Sequence, residues 1–273
     1  MKVGILGPRG TYAEVAARSN FGENIEVVPY SLITEVAEAV ERGNVEAGVV
    51  PVESLHEGSV GETLDALAWL DVKIKAEVVV PISHCLLGVH GAKLGEINQV
   101  LSHPQALAQC RDFLRRNLPR AELIEMTSTA KAAEQVSKLR QLHMAAIGAR
   151  ALAGMYGLEV LRENIQTGRE NLTRFFCLAK EDSGPTGVDK TSIVFYTKED
   201  RPGILCEILQ EFAARNINLT KIESRPSKRA LGDYLFFVDF EGHRTDPKVQ
   251  ETLSALEPKV ATLKMLGSYP KRF

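Results

Sequence analysis

The chain has 273 residues, 44% of them hydrophobic, which is enough for more than one globular domain with a sizeable core. Its formal net charge is -2 and its basic residues are spread along the chain, so we exclude nucleic acid as a partner. No apolar run approaches the length of a membrane span. We therefore expect a soluble, cytoplasmic protein that has no membrane partner.

The cysteines and histidines do not pair in the way that metal ligands or redox dithiols do. No Cys-x-x-Cys, His-x-His or His-x-x-x-His pattern occurs, and this spacing predicts no metal site. The cysteines lie in apolar surroundings, where we expect them to be buried as small hydrophobic residues: Cys85, Cys110, Cys177 and Cys206.

Apolar strands alternate with amphipathic helices from the N-terminus, which is typical of an α/β layer. The strands VGILG, IEVVPY and AGVVPVE are followed in turn by the helices TYAEVAARSNF, LITEVAEAVERGN and VGETLDALAWL. Two extended runs broken at Pro81 lead to a second alternating stretch: INQVLSH, PQALAQCRDFLRRN, AELIEMTS, TAKAAEQVSKLR and HMAAIGARALAGMYG. The pattern predicts two α/β lobes within residues 1–182, with the second lobe over about 80–157 and a ligand cleft between them.

The C-terminal part of the chain follows a different pattern. The stretch EDSGPTGVDK contains turn formers and charges without an apolar period, so we interpret it as a linker. Residues 191–273 then read strand, helix, strand, strand, helix, strand. This βαββαβ order predicts a ferredoxin-like domain.

Small polar residues follow several strands of the two predicted lobes. They occur in GPRGT (Gly7–Thr11), VESLHEGSV (Val52–Val60), SHPQ (Ser102–Gln105) and TSTA (Thr127–Ala130). Ligands of open α/β sheets bind at the carboxyl ends of the strands, where helix N-termini favour anions. Each stretch taken alone is also an ordinary turn or N-cap.

The stretch NLTRFF, Asn171 to Phe176, combines an amide, a hydroxyl and a guanidinium just before the linker. An ordinary edge strand would explain the alternation of Thr173, Arg174 and Phe175 as well. Together with the polar strand ends, however, Arg174 indicates a small ligand that bears carboxylates, because a guanidinium holds a carboxylate in a two-pronged grip.

In their order along the chain, these segments resemble the signature segments of the monofunctional prephenate dehydratases. They are GPRGTYAEVAA, VPVESLHEGSV, SHPQALAQC, TSTAKAA and NLTRF. The later segments DRPGILCEIL, NLTKIESRP and DYLFFVDFEG are similar to an ACT regulatory domain. The resemblance covers nearly the whole chain. It implies a periplasmic-binding-protein-like catalytic domain followed by the ACT domain.

The resemblance implies that prephenate, a dicarboxylate with a ring hydroxyl, is the substrate and that no cofactor is needed. Thr173 would assist departure of the hydroxyl, Arg174 would hold a carboxylate, Asn171 would orient Thr173 or the substrate, and Phe175 would exclude water. The remaining substrate-binding residues implied are Gly10, Thr11, Glu53, Ser54, His103, Ser128 and Thr129.

One segment departs from the family pattern. The family has Glu-Asn-Ser where this chain has Glu53, Ser54 and Leu55, and we expect both Ser54 and Leu55 to face the cleft. A hydroxyl cannot donate and accept through two separate atoms as an amide can. This departure favours a sensor of carboxylates or amino acids without catalytic activity, whereas the intact NLTRF favours the enzyme. Arogenate dehydratase, which performs the same elimination on an amino acid, is a further alternative.

The ACT resemblance implies feedback control by phenylalanine. The effector residues implied are Gly203, Ile204, Leu205, Asn218, Leu219, Glu223, Ser224 and Arg225. Ile204 stands where the family has alanine. We expect its larger side chain to narrow the phenylalanine-binding pocket. ACT domains pair side by side, so the resemblance also implies a homodimer or homotetramer.

Overall fold

The computed structural model describes residues 1–168, 171–199, 201–227 and 233–272. Its first lobe is built on a sheet with the strand order β2-β1-β3-β11-β5, in which β1 pairs in parallel with β2 and β3 and the returning strand β11 is antiparallel to β3 and β5. The elements are β1 (Lys2–Leu6), α1 (Tyr12–Phe21), β2 (Glu26–Tyr30), α2 (Ile33–Glu41), β3 (Ala47–Ser54), β4 (Gly58–Ser59), α3 (Gly61–Trp69), β5 (Lys73–Pro81) and β11 (Leu172–Ala179).

The second lobe has its own sheet, with the strand order β10-β6-β9-β7-β8. Its elements are β6 (Cys85–Gly88), β7 (Gln99–Ser102), α4 (Pro104–Gln109), α5 (Arg111–Asn117), β8 (Glu122–Glu125), α6 (Thr129–Leu139), β9 (Met144–Gly148), α7 (Ala151–Tyr156) and β10 (Glu159–Arg162). Apolar side chains cover both faces of this sheet, as the near-continuous apolar runs of its strands require.

The structure differs from the sequence prediction at two points in this lobe. The helix expected from Pro104 to Asn117 is interrupted at Cys110, where the backbone leaves the helical region at φ -99° and ψ 8°. The return to the first lobe, expected near Gly157, comes after β10, because β10 pairs with β6 of the second sheet. Two segments therefore join the lobes, one from Ile82 to His84 and one after Arg162.

The C-terminal domain is an antiparallel sheet with the strand order β13-β14-β12-β15, which is the ferredoxin-like arrangement. Its elements are β12 (Asp189–Thr197), α8 (Ile204–Ala214), β13 (Leu219–Pro226), β14 (Tyr234–Glu241), α9 (Pro247–Leu256) and β15 (Val260–Pro270). The predicted fold class, two α/β lobes and a ferredoxin-like domain, is confirmed.

The C-terminal sheet shares a hydrophobic core with the first lobe, so the two domains are not joined by the linker alone. Val194, Phe237 and Tyr269 pack in one cluster with Phe176 of β11 and Ile74 of β5. The two backbones also approach closely at Gly267, where a Cβ atom would lie 2.3 Å from the carbonyl oxygen of Ile74. The two domains are therefore packed directly against each other through buried side chains.

Within the described ranges, none of the helices combines the length and the apolar character that crossing a membrane requires. Three of the cysteines, Cys85, Cys110 and Cys177, are buried as expected, but Cys206 on α8 is exposed. The apolar neighbours of Cys206 in the sequence belong to the buried face of an amphipathic helix, and Cys206 itself lies on the other face.

This difference in burial predicts selective thiol chemistry. Burial raises the pKa of Cys110 and of Cys177 to about 12 and also raises the pKa of Cys85, so these thiols are neither accessible nor ionised at pH 8. Titration of the folded chain with a thiol-reactive disulfide should give one fast reaction, removed by Cys206→Ser, and the remaining thiols should react only in denaturant. Fast reaction of a second cysteine would contradict the burial described here.

Candidate active site

A cleft of about 680 Å³ lies between the two lobes. Residues of both lobes and of both connecting segments line it, among them Thr11, Ser54, His103, Ser128, Thr129, Asn171, Thr173 and Phe175. These eight were expected to bind or act on the substrate, and the structure brings them together from segments up to about 160 residues apart in the chain.

Alternation along β11 decides which residues of NLTRFF reach the cleft. Successive side chains of a strand point to opposite faces of its sheet, so residues two apart share a face. Asn171, Thr173 and Phe175 line the cleft, and Phe175 is buried. Arg174 and Phe176 lie on the opposite face, towards the C-terminal domain.

The structure corrects the expectation that Arg174 holds a substrate carboxylate. The guanidinium is only 6% exposed and does not line the cleft. Its Nε donates to Glu77 Oε2 at 2.8 Å, Nη1 and Nη2 donate to Asp239 Oδ2 at 3.0 Å, and Nη2 also lies 3.1 Å from the hydroxyl oxygen of Tyr269. The sequence prediction placed two adjacent strand residues on one face, which the strand period forbids.

The same alternation separates Glu53 from Ser54 at the end of β3. Ser54 is buried and lines the cleft, whereas Glu53 lies on the other face, with Oε2 3.6 Å from Arg174 Nη1 and 3.9 Å from Lys221 Nζ. Leu55 is 59% exposed and does not line the cleft, contrary to expectation. The departure from the family pattern thus affects the cleft at Ser54 alone.

Gly10 is also placed differently from the prediction. Its φ of 81° requires glycine, but it does not line the cleft and its N–H donates to Glu14 Oε2 at 2.8 Å, so the group is already satisfied. Burial alone would raise the pKa of Glu14, but hydrogen bonds from Gly10 and Arg18 lower it below the ordinary value. Thr11 does line the cleft, and its Oγ1 donates to the carbonyl oxygen of Leu6 at 3.1 Å.

Helix N-termini supply backbone donors to the wall of the cleft, which also contains the carboxylates of Glu57 and Glu62. Helices α1, α3 and α6 all begin at its wall, as the lining residues Tyr12, Glu62 and Thr129 show. Ser128 Oγ accepts from the N–H of Lys131 at 3.0 Å and so caps α6, and His103 Nδ1 accepts from the N–H of Gln105 at 3.3 Å. Among the lining residues that the structure describes, there is no lysine or arginine. The groups of this wall that favour an anion are therefore the helix N-termini and the hydroxyl groups, alongside Glu57 and Glu62 of the segment around α3.

Sequence reasoning missed several polar residues of the cleft, among them Tyr12, His84 and Gln109. His84 Nε2 lies 2.8 Å from Gln109 Oε1, and Asn171 Nδ2 donates to the same oxygen at 3.0 Å. His84 stands in the apolar run PISHCLLG and Gln109 in an ordinary amphipathic helix. Gln109 lies in the segment SHPQALAQC, which carried the resemblance, but its partners could not be predicted because the contacts span 25 and 62 residues.

Comparison with known proteins gives the family of the chain. Residues 3–183 match the family model of prephenate dehydratase, and residues 191–258 match the ACT domain. The chain belongs to the prephenate dehydratase family.

Similar proteins extend over almost the whole chain. The bifunctional chorismate mutase/prephenate dehydratase of Aquifex aeolicus is 46% identical over 271 residues, which are 99% of this chain and 74% of that protein. The prephenate dehydratase of Methanocaldococcus jannaschii is 42% identical, with 96% of each chain covered. The crystal structure of prephenate dehydratase from Arthrobacter aurescens in complex with L-Phe superposes with a TM-score of 0.92, at 36% identity over 99% of this chain and 90% of that one.

The ACT domain touches the wall of the prephenate dehydratase cleft through β13. Lys221 Nζ donates to the hydroxyl oxygen of Ser59, which lines the cleft, at 2.6 Å. Arg225 forms a two-pronged ion pair with Asp65 of α3, at 3.0 and 3.2 Å. Gly61 permits this approach, because a Cβ atom there would lie 2.5 Å from the Arg225 guanidinium.

The predicted effector residues lie at two places in the ACT domain. Gly203 precedes α8 with a φ of 87°, and Ile204 and Leu205 form the first turn of that helix. Asn218 precedes β13, and β13 contains the others: Leu219, Glu223, Ser224 and Arg225. Asp200, which begins the DRPGILCEIL segment, lies outside the described residues.

Glu77 is the centre of the buried charges between the domains, and its loss should destabilise the protein. It is fully buried, accepts from Arg174 Nε and from the N–H of Arg272, and lies 3.1 Å from Lys190 Nζ. Glu77→Gln removes the negative charge that pairs with Arg174 and Lys190. We therefore expect the free energy of unfolding to fall by about 3 kcal/mol.

Urea unfolding measures this difference, with Glu38→Gln as the matched control. Glu38 pairs with Arg42 on an exposed helix face, so its neutralisation should change stability by less than about 1 kcal/mol. Equal effects of the two substitutions would show that the interdomain charges do not stabilise the fold.

Proposed function

We propose that this chain catalyses the decarboxylating dehydration of prephenate to phenylpyruvate, under feedback control by phenylalanine. Family membership supports the reaction class, and the observation that carries the assignment is the cleft face of β11, with Asn171, Thr173 and Phe175 in one row. The reaction breaks the bond between the ring and its carboxylate and expels the ring hydroxyl. The aromatic ring of the product supplies the driving force.

The helix N-termini bind the carboxylates of prephenate in this proposal. Tyr12, Ser128 and Thr129 mark where α1 and α6 meet the cleft, one from each lobe. A dicarboxylate that spans the cleft would hold the lobes together through neutral donors. Loss of one carboxylate as carbon dioxide then weakens this grip, which favours release of the product.

Thr173 assists departure of the ring hydroxyl. It is half-buried on the cleft face, between the buried side chains of Asn171 and Phe175. A threonine hydroxyl is a weak acid, so it acts by donating a hydrogen bond to the leaving oxygen and by passing on a proton that water replaces. Phe175 limits the access of water to the reacting ring.

Replacement of Thr173 by valine should remove the hydroxyl without changing the side-chain shape. We expect kcat for prephenate to fall about 100-fold or more while KM changes less than about threefold, because the lost interaction is made in the transition state. Thr173→Ser keeps the hydroxyl and should retain at least about a tenth of the turnover. Phenylpyruvate formation measures both variants, with arogenate as a second substrate for the native chain.

Native turnover is the first control, since its absence would overturn the proposed function and favour a sensor. Native turnover that survives in Thr173→Val would instead overturn the role of Thr173. Preference of the native chain for arogenate would change the substrate but retain the reaction.

Feedback control follows from the contacts between the ACT domain and the cleft. β13 contains half of the predicted effector residues and also holds Ser59 and Asp65 of the catalytic domain through Lys221 and Arg225. Phenylalanine that binds at Gly203 to Leu205 and along β13 would shift this strand and with it the start of α3. Such coupling requires that phenylalanine bind one cleft state better than another.

Asp65→Ala should therefore weaken inhibition without reducing basal activity. We expect the phenylalanine concentration for half-inhibition to rise at least about fivefold and uninhibited kcat to stay within about twofold. Asp112→Ala removes a surface pair with Arg115 on α5 and is the control. Inhibition that is equal in the two variants would show that the Asp65 contact does not carry the signal.

Pairing of ACT domains into a homodimer or homotetramer completes the proposal, together with a cytoplasmic location. β13 is an edge strand, and its Ile222 is 46% exposed, as is Tyr234 on β14. An exposed apolar edge of this kind favours side-by-side association with a second copy. Light scattering of the purified chain with and without phenylalanine would test the oligomeric state.

A further inference from the structure

Three polar side chains join the two connecting segments at the base of the cleft. His84 belongs to the first segment, Asn171 ends the second directly before β11, and Gln109 ends α4 of the second lobe. Gln109 Oε1 lies within hydrogen-bond distance of both His84 Nε2 and Asn171 Nδ2. We call these residues the base triad; all three line the cleft.

Two acceptor atoms of the base triad are not used in the hydrogen bonds within the triad. Gln109 Oε1 can only accept, so His84 carries its proton on Nε2 and presents a lone pair at Nδ1. Burial lowers the pKa of His84 below its ordinary value, which keeps the ring neutral. Asn171 donates its amide hydrogen to Gln109 and presents Oδ1.

Both acceptors are deeply buried and unused by the protein. His84 is 4% exposed and Asn171 is 5% exposed, and no described residue donates to His84 Nδ1 or to Asn171 Oδ1. A buried acceptor without a donor reduces stability, so such a pair in a ligand cleft indicates a ligand that donates.

Prephenate has one group that can donate, because its carboxylates and its ketone only accept. That group is the ring hydroxyl, which becomes water, with two O–H bonds, once it has left the ring and gained a proton. We propose that His84 Nδ1 and Asn171 Oδ1, held in place by Gln109, accept hydrogen bonds from the departing hydroxyl and orient prephenate with that hydroxyl towards Thr173. This inference rests on the proposed function.

The bonds broken and the proton taken up in the reaction can be accounted for with the hydroxyl in this position. The bond from the ring to its carboxylate carbon breaks, its electron pair enters the ring, and carbon dioxide leaves. The carbon–oxygen bond at the opposite ring position breaks with its pair on oxygen, which takes one proton from water through the Thr173 hydroxyl. As the oxygen gains this proton its O–H bonds become stronger donors, so the two acceptors stabilise the transition state more than the bound substrate.

Two replacements of His84 separate the acceptor from the rest of the ring. Asparagine places an oxygen where Nδ1 lies but does not reach Gln109, whereas glutamine reaches Gln109 but has no acceptor at the Nδ1 position. We expect His84→Gln to lower kcat for prephenate about 10- to 100-fold and His84→Asn, which keeps the acceptor but loses the contact that positions it, to lower kcat less than His84→Gln does, by up to about tenfold. A purely structural role predicts the reverse order, because glutamine keeps the contact with Gln109.

Inhibition by phenylpyruvate supplies the readout for binding. This product has no ring hydroxyl, so its inhibition constant should change less than about twofold in either variant, while a distorted cleft would weaken it in both. The pH profile gives a second readout, since protonation of His84 converts Nδ1 into a donor. Native kcat should therefore decrease as the pH falls. In His84→Asn, which has no imidazole, this decrease should be absent.

Equal kcat in the native chain, His84→Gln and His84→Asn would overturn the inference while leaving the proposed function intact. Higher turnover in His84→Gln than in His84→Asn would also overturn it. Absence of turnover in the native chain would instead overturn the proposed function, and the variants would then be compared by phenylpyruvate binding alone, for which the acceptor inference predicts no difference.

Discussion

The two-residue repeat of strand β11 is the constraint on which the rest of the structure depends. It sends Thr173 into the cleft and the adjacent Arg174 to the opposite face, where the guanidinium binds Glu77 and Asp239. One strand thereby serves catalysis on one face and domain assembly on the other. A displacement of the ACT domain that moves Asp239 must act on the strand that carries Thr173, because the intervening contacts are buried and close-packed.

The described wall of the cleft supplies donors in place of cationic side chains. Helix N-termini from both lobes meet there, and the arginine expected to hold a carboxylate is bound elsewhere. Neutral donors suit a reaction in which the substrate loses a carboxylate, since a strong fixed cation would stabilise the charged substrate before decarboxylation. The base triad adds two buried acceptors without a donor among the described residues, His84 Nδ1 and Asn171 Oδ1, for which the ring hydroxyl is the proposed donor.

The sequence allowed the two α/β lobes, the ferredoxin-like domain and most of the cleft to be predicted. The period of the apolar residues predicted the strands. The polar residues at the strand ends predicted that Thr11, Ser54, His103 and Ser128 lie at the cleft, where the structure has them. Arg174 does not lie at the cleft as predicted, because adjacent residues of a strand lie on opposite faces of the sheet. Gly10 does not line the cleft for a different reason: its N–H donates to Glu14, and the sequence does not show that this helix residue reaches back to the turn. The contacts of His84 and Gln109 could not be predicted because only the folded topology brings these residues to Asn171.

A crystal structure of the chain with phenylpyruvate bound tests the central claim most directly. We expect the product ring beside Thr173, its carboxylate at a helix N-terminus of the cleft, and Arg174 still bonded to Glu77 and Asp239. A guanidinium of Arg174 that has left Asp239 to bind the product carboxylate would contradict the separation of catalysis and assembly on the two faces of β11.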